Sequence, residues 1–188
     1  MAVQPRPVPL LAPTQALLRG FVFEAAPASA AAAGPDAAER GPLLREGFRI
    51  GDLHLMIRYE DGSELTDLPP VYRLPRAPAW FLGMANLHGA LVPVFDPAGL
   101  FGVAHDAAAK PMLLVLGHGD ERAGVVIDGL PVRLRVAADD LVENAALPAR
   151  LAACGNGSWR SGGADWLDLQ VPALLSQLND DLAAGAGA

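Results

Sequence analysis

Six side chains able to hold a metal or move a proton fall within one short stretch: His88, Asp96, His105, Asp106, His118 and Asp120. A small metal-assisted hydrolase using His88, Asp96 and His118 is therefore one reading of the chain. The spacing argues against it. None of these residues has the i, i+4 helical separation of a zinc protease or the ligand clustering of a structural site, so His105-Asp106 and His118-Gly119-Asp120 read as polar turn residues. A catalytic nucleophile would have to come from Cys154, Ser158 or Ser161. All three lie in a glycine-rich stretch without a G-x-S-x-G elbow or an adjacent base. Gly155-Asn156-Gly157 is no phosphate loop, because no lysine follows it. No enzyme signature emerges, and neither a metal nor a cofactor is expected.

The stretch with the most agreeing local signals is Leu74 to Gly102, LPRAPAWFLGMANLHGALVPVFDPAGLFG. Met84 to Leu87 and Leu91 to Phe95 are apolar runs separated by His88-Gly89-Ala90, a turn in which Gly89 can take positive φ. Pro93 cannot donate to a strand ladder and marks an edge or a bulge. Asp96 suits an N-cap, Pro97 the first position of a helix, and Gly102 its stop. Trp80 and Phe81 read as core or seam residues. Arg133 and Arg135 share one strand face, which suits an acidic partner as well as it suits an acidic protein's own surface.

Composition bounds the remaining classes. The formal charge of −7 opposes nucleic acid and anionic membrane as partners. No run approaches the roughly 20 apolar residues of a membrane span. Prolines at 5, 7, 9 and 13 break a signal-peptide core, and Cys154 has no partner for a disulfide, so a cytoplasmic location is expected.

The elements that position the hairpin can be read in order. Residues 1–45 form a Pro/Ala-rich extension, largely disordered, with a short helix over 15–23. Phe48 to Ile50 and Leu53 to Tyr59 form a hairpin around Gly51-Asp52, with Leu53, Leu55 and Ile57 facing one way and His54, Met56 and Arg58 the other. Asp61 to Leu68 reads as an acidic loop. Met112 to Leu116, Ala123 to Asp128, Val132 to Val136 and Trp166 to Leu169 read as strands, and Ala152 to Gly163 as a surface loop. A helix closes the domain over 172–178, followed by a flexible tail over 181–188. Many short strands with turn chemistry between them point to small antiparallel barrels.

Within this frame the motif Leu82-Gly83-Met84, Asn86-Leu87-His88-Gly89 and Leu91-Val92-Pro93-Val94-Phe95-Asp96, closed by a short helix ending at Gly102, resembles the CheW-like domain. That family contains the adaptors that couple chemoreceptors to a histidine kinase of the CheA type. The likeness continues more weakly from Phe48 to Leu178. It implies an all-β fold of two SH3-like antiparallel β-barrel subdomains sharing a hydrophobic seam, with short connecting helices and a C-terminal helix. The domain would span 46–180, with subdomains at about 46–102 and 110–170 and a changeover near 103–110.

The resemblance also implies a function: a non-catalytic adaptor in chemotaxis or, from FRIGDLHLMI and Trp80, in type IV pilus twitching. Its partners would be the regulatory domain of a CheA-type kinase, through one subdomain, and the cytoplasmic coiled-coil tip of a receptor, in a groove between the two. The contact residues carried over are Asn86, Leu87, His88 and Gly89, with the acidic-aliphatic pair Glu64-Leu65. Two departures stand out. The family usually has arginine where this chain has His88, and the arginine that often follows the helix-opening aspartate is missing, since Pro97-Ala98 follows Asp96. A diverged capping protein without kinase coupling is accordingly a third reading.

Overall fold

The computed structural model describes residues 42–142 and 149–185. The expected extension up to residue 41, with its helix over 15–23, lies outside these residues, as do 186–188 of the expected tail.

The chain opens with β1 (Leu43–Ile50) and β2 (Leu53–Arg58), paired antiparallel around Gly51-Asp52 with Ile50 opposite Leu53. A 3-10 turn at Tyr59–Asp61 leads to β3 (Gly62–Asp67) and the short β4 (Val71–Tyr72). The central hairpin is β5 (Phe81–Leu87) and β6 (Ala90–Phe95), followed by helix α1 (Pro97–Phe101). Then come β7 (Pro111–Leu116), β8 (Ala123–Asp128), β9 (Val132–Val136) and β10 (Leu141–Val142). Helix α2 (Ala149–Ala152), β11 (Gly155–Ser161), β12 (Ala164–Leu169) and helix α3 (Val171–Gly185) complete the described chain.

These strands make two six-stranded curled sheets, in the order β10-β11-β12-β2-β1-β9 and β3-β7-β8-β6-β5-β4. Pairing is antiparallel except for β12 on β2 and β6 on β8. The fold is thus the expected pair of all-β barrels with a closing helix. Its chain division is not the expected one. β1 and β2 belong with the C-terminal strands, and the second sheet takes β3 to β8, so the changeover expected at 103–110 falls inside one sheet. Alternating polarity reports which face of a strand is buried but not which strand lies beside it. The pairings that decide this, β1 with β9 and β2 with β12, join distant parts of the chain.

Three local expectations are also corrected. Asp61 to Leu68 is mostly strand: β3 pairs with β7 along one edge of its sheet, where polar side chains are tolerated. Ala152 to Gly163 is mostly strand too, because β12 supplies β11 with a partner that its glycine-rich sequence does not advertise. The last helix runs on to Gly185, well past the expected end at 178. Leu174 and Leu178 are buried and Leu182 packs on the same core one turn further, so the apolar stripe holds the helix where a loose tail was expected.

One apolar cluster spans both sheets. Phe48, Ile50, Leu55 and Ile57 from the first sheet meet Phe81, Phe95, Leu114 and Ile127 from the second, and α3 covers them with Leu174 and Leu178. Trp80 stacks beside Phe95 at 6.1 Å between ring centres, as a seam residue should. Met56, on the opposite face of β2, enters a smaller cluster with Leu134, Val136 and Trp166. Near that end of the first sheet, Arg45 on β1 donates two hydrogen bonds, of 2.7 and 3.1 Å, to the buried carboxylate of Asp168 on β12. Among the described residues, no helix is long and apolar enough to cross a membrane.

Candidate functional site

The β5–β6 turn is tighter than the three residues expected of it. Only His88 and Gly89 lie outside the strands, with Leu87 opposite Ala90. Both turn residues have positive φ, 51° and 88°, as a right-twisted two-residue hairpin requires. The Asn86 Oδ1 accepts a hydrogen bond from the Gly89 N–H at 2.8 Å and fixes the loop from below. Pro93 sits opposite Met84, one residue before β6 begins to pair with β8 at Val94, so its missing N–H leaves no gap in that second ladder. Downstream, Asp96 caps α1 by accepting from the Ala98 N–H at 3.0 Å.

The hairpin tip meets the other proposed contact pair. His88 Nε2 lies 2.9 Å from Glu64 Oε1, bridging the β5–β6 turn and edge strand β3 across 24 positions of sequence. The His88 side chain remains 81% exposed. Leu65 is 37% exposed on β3 and Leu91 68% exposed on β6. Leu87 differs from the expectation. It is only 6% exposed and packs with Ala85, Val92 and Val94, so it supports the hairpin from within. A groove lined from both sheets by Glu46, Tyr59, Ser63, Glu64, Leu65 and Leu114 runs beside this face. Burial raises the carboxyl pKa of Glu46 there, with Arg133 partly offsetting it.

The hydrolase set is not gathered. His88 is engaged with Glu64, Asp96 caps α1 and contacts His105, and His118 Nε2 donates to the Glu60 carbonyl at 2.7 Å. Among the described residues, no group of three or more potential ligands converges on a metal-sized site. Cys154 is buried against Gln177, and burial raises its thiol pKa, which opposes thiolate chemistry. Ser158 is buried in β11. Arg133 lies over the Tyr59 ring at 5.1 Å.

A polar cluster built around His105, which reads as a turn residue in the sequence, lies at the other end of β1–β2. His105 Nδ1 is 2.6 Å from Asp128 Oδ1 and its Nε2 is 3.0 Å from Asp96 Oδ1. The second Asp128 oxygen accepts from the Gly51 N–H at 2.6 Å and the Asp106 N–H at 3.0 Å. Burial works against ionisation of Asp128, but the two amides and His105 outweigh it and lower its pKa. For His105, burial also opposes the charge, yet the hydrogen bonds to Asp128 and Asp96 prevail and raise its pKa. The available signal was Asp128 itself, a carboxylate ending the otherwise apolar run AGVVID, which must find donors if it is buried.

The described chain is thus a pair of curled sheets sharing one core, with an exposed hairpin tip tied to an edge strand. The CheW-like domain matches residues 47–179, and the chain belongs to that family. It is 29% identical over 97 residues to a probable chemotaxis protein CheW of Rhizobium etli, covering 51% of this chain and 62% of that protein. Protein PilI of Pseudomonas aeruginosa is 31% identical over 83 residues, 44% of this chain and 47% of PilI. The chemotaxis protein CheW of Helicobacter pylori is 31% identical over 96 residues, 50% of this chain and 58% of that protein. The matches thus span about half to three-fifths of these relatives. The crystal structure of the scaffolding protein TtCheW from Thermoanaerobacter tengcongensis superposes with a TM-score of 0.58 at 16% identity, over 69% of this chain and 89% of that one, and shares the fold.

Proposed function

We propose that the chain is a non-catalytic adaptor of a chemosensory array in the cytoplasm. Through the β5–β6 tip and β3 it docks the regulatory domain of a CheA-type histidine kinase, and in the groove between the sheets it takes the coiled-coil tip of a chemoreceptor. The observation that carries this reading is the meeting of the exposed His88 with Glu64, which joins the β5–β6 tip to edge strand β3. The surrounding contacts suit a transient interface below ~1,200 Å², with strength gained from many copies in a lattice. The likeness to PilI favours a type IV pilus pathway alongside the chemotaxis relatives.

Affinity capture from the native cell tests the reading: a histidine kinase should co-purify, and its consistent absence would count against coupling. At the site itself, His88→Arg replaces the imidazole ring by a permanent planar cation beside Glu64. Calorimetric titration with the kinase regulatory domain should show binding stronger by up to ~1 kcal/mol. No change, or a loss, would remove His88 from the interface.

A further inference from the structure

Both ring nitrogens of His105 face carboxylate oxygens, Asp128 at 2.6 Å and Asp96 at 3.0 Å. A neutral imidazole has one donor and one acceptor, so it would turn a lone pair toward one of the two carboxylates. Only the doubly protonated ring satisfies both. The three residues come from separate places: Asp96 opens α1, His105 follows it, and Asp128 ends β8. Asp128 in turn grips the β1–β2 turn of the other sheet through the Gly51 N–H. That turn presses closely on the His105 loop. A Cβ on Gly51 would lie 2.1 Å from the Ala104 carbonyl oxygen, and its φ of 56° favours glycine as well.

The hydrophobic attraction along the seam between the sheets is itself non-directional. Hydrogen bonds to placed carboxylates are directional. We infer that His105 is a positioning residue, the proton-dependent centre of a clasp that holds the β1–β2 turn of one sheet against the second sheet. With both ring protons present the clasp is closed; when one leaves, Asp96 and the ring repel and the turn loosens. β1 runs from this turn to Glu46, five residues or roughly 16 Å away, where the docking groove begins. The clasp therefore bears on the groove's shape, a consequence that rests on the adaptor reading.

The charged groups around the ring are Asp96 from α1, Asp128 from β8, Asp106 from its own loop, and Arg49 from β1, which lies 3.7 Å from Asp106. The raised pKa of His105 sets the sign. Its contribution is fully present below the ordinary histidine value of about 6.5 and is lost as pH rises through the higher folded value.

The test is amide exchange of the full chain followed by NMR between about pH 5.5 and pH 8.5. Referenced to the buried Leu113 amide, the Gly51 amide should exchange about fivefold faster at the alkaline end, the factor carried by roughly one net hydrogen bond. Asp96→Asn keeps the one oxygen, Oδ1, that both caps α1 and faces the ring but removes its charge, so it should fold normally and flatten most of this pH dependence. His105→Gln should abolish it. A flat wild-type profile, or Asp96→Asn retaining the wild-type slope, overturns the clasp. Exchange needs no partner, so its outcome is independent of whether a kinase binds.

Discussion

Gly83→Ala is expected to remove a large part of the protein's stability. Gly83 sits on β5 opposite Val94 at φ 131°, beside the end of the paired edge strand β4. A Cβ there would lie 2.1 Å from the Tyr72 carbonyl oxygen and 2.6 Å from its carbon. These are backbone atoms, so no side chain can swing aside. Positive-φ strain of roughly 1–2 kcal/mol adds to an overpacking cost of about 1–3 kcal/mol, against a typical total of about 5–15. Thermal denaturation should show Tm lower by about 10 °C. Gly89→Ala is the control. Nothing lies within 4 Å of that position, so only the backbone term applies. Equal, small losses at both sites would contradict the close approach of β4 to β5 at Gly83, and with it the support of the hairpin.

Asp168→Ala is the second large effect. Asp168 and Arg45 are 3% and 13% exposed, and their paired bonds tie β12 to β1 across 123 residues of chain. Removing the carboxylate leaves the largely buried guanidinium without its counter-charge, holding only the Leu44 carbonyl, which costs about 3–5 kcal/mol in comparable sites. Urea denaturation should show a lower midpoint at unchanged slope, since the unfolded surface is the same. Replacing both partners together, Arg45→Met with Asp168→Leu, should recover most of the loss, because the pair's worth lies chiefly in each charge satisfying the other. A single variant as stable as wild type would mean that water already serves the Arg45 guanidinium.

The sequence carried the hairpin and its flanks well because their signals are local. Asp96, Pro97 and Gly102 mark a short helix by capping chemistry alone, and they do so in the structure. The family resemblance brought Glu64 and His88 into one expected site, and their side chains do meet. Sequence position could not reveal that Leu87 points inward, because alternation along β5 places it on the buried face only once the sheet's packing is known. The exchange of β1 and β2 into the C-terminal sheet was invisible for a related reason: nothing local to Leu55 or Met56 specifies Leu167 and Asp168 as neighbours. The His105 cluster was hidden likewise, since its members lie 9 and 23 positions from the ring. Long-range polar partners leave no periodic trace.

Calorimetric titration of the chain against the regulatory domain of its CheA-type kinase, with Glu64→Lys alongside, tests the docking face most directly. The wild type should bind with one-to-one stoichiometry. The variant should bind at least about tenfold more weakly, a loss of about 1.4 kcal/mol or more, because it sets a cation against His88 and destroys the polar pair. Its Tm should stay within about 2 °C of wild type, since Glu64 lies on an edge strand. Glu64→Lys binding as tightly as the wild type, or a wild type that binds no kinase domain at all, would contradict the assignment of this face to kinase coupling.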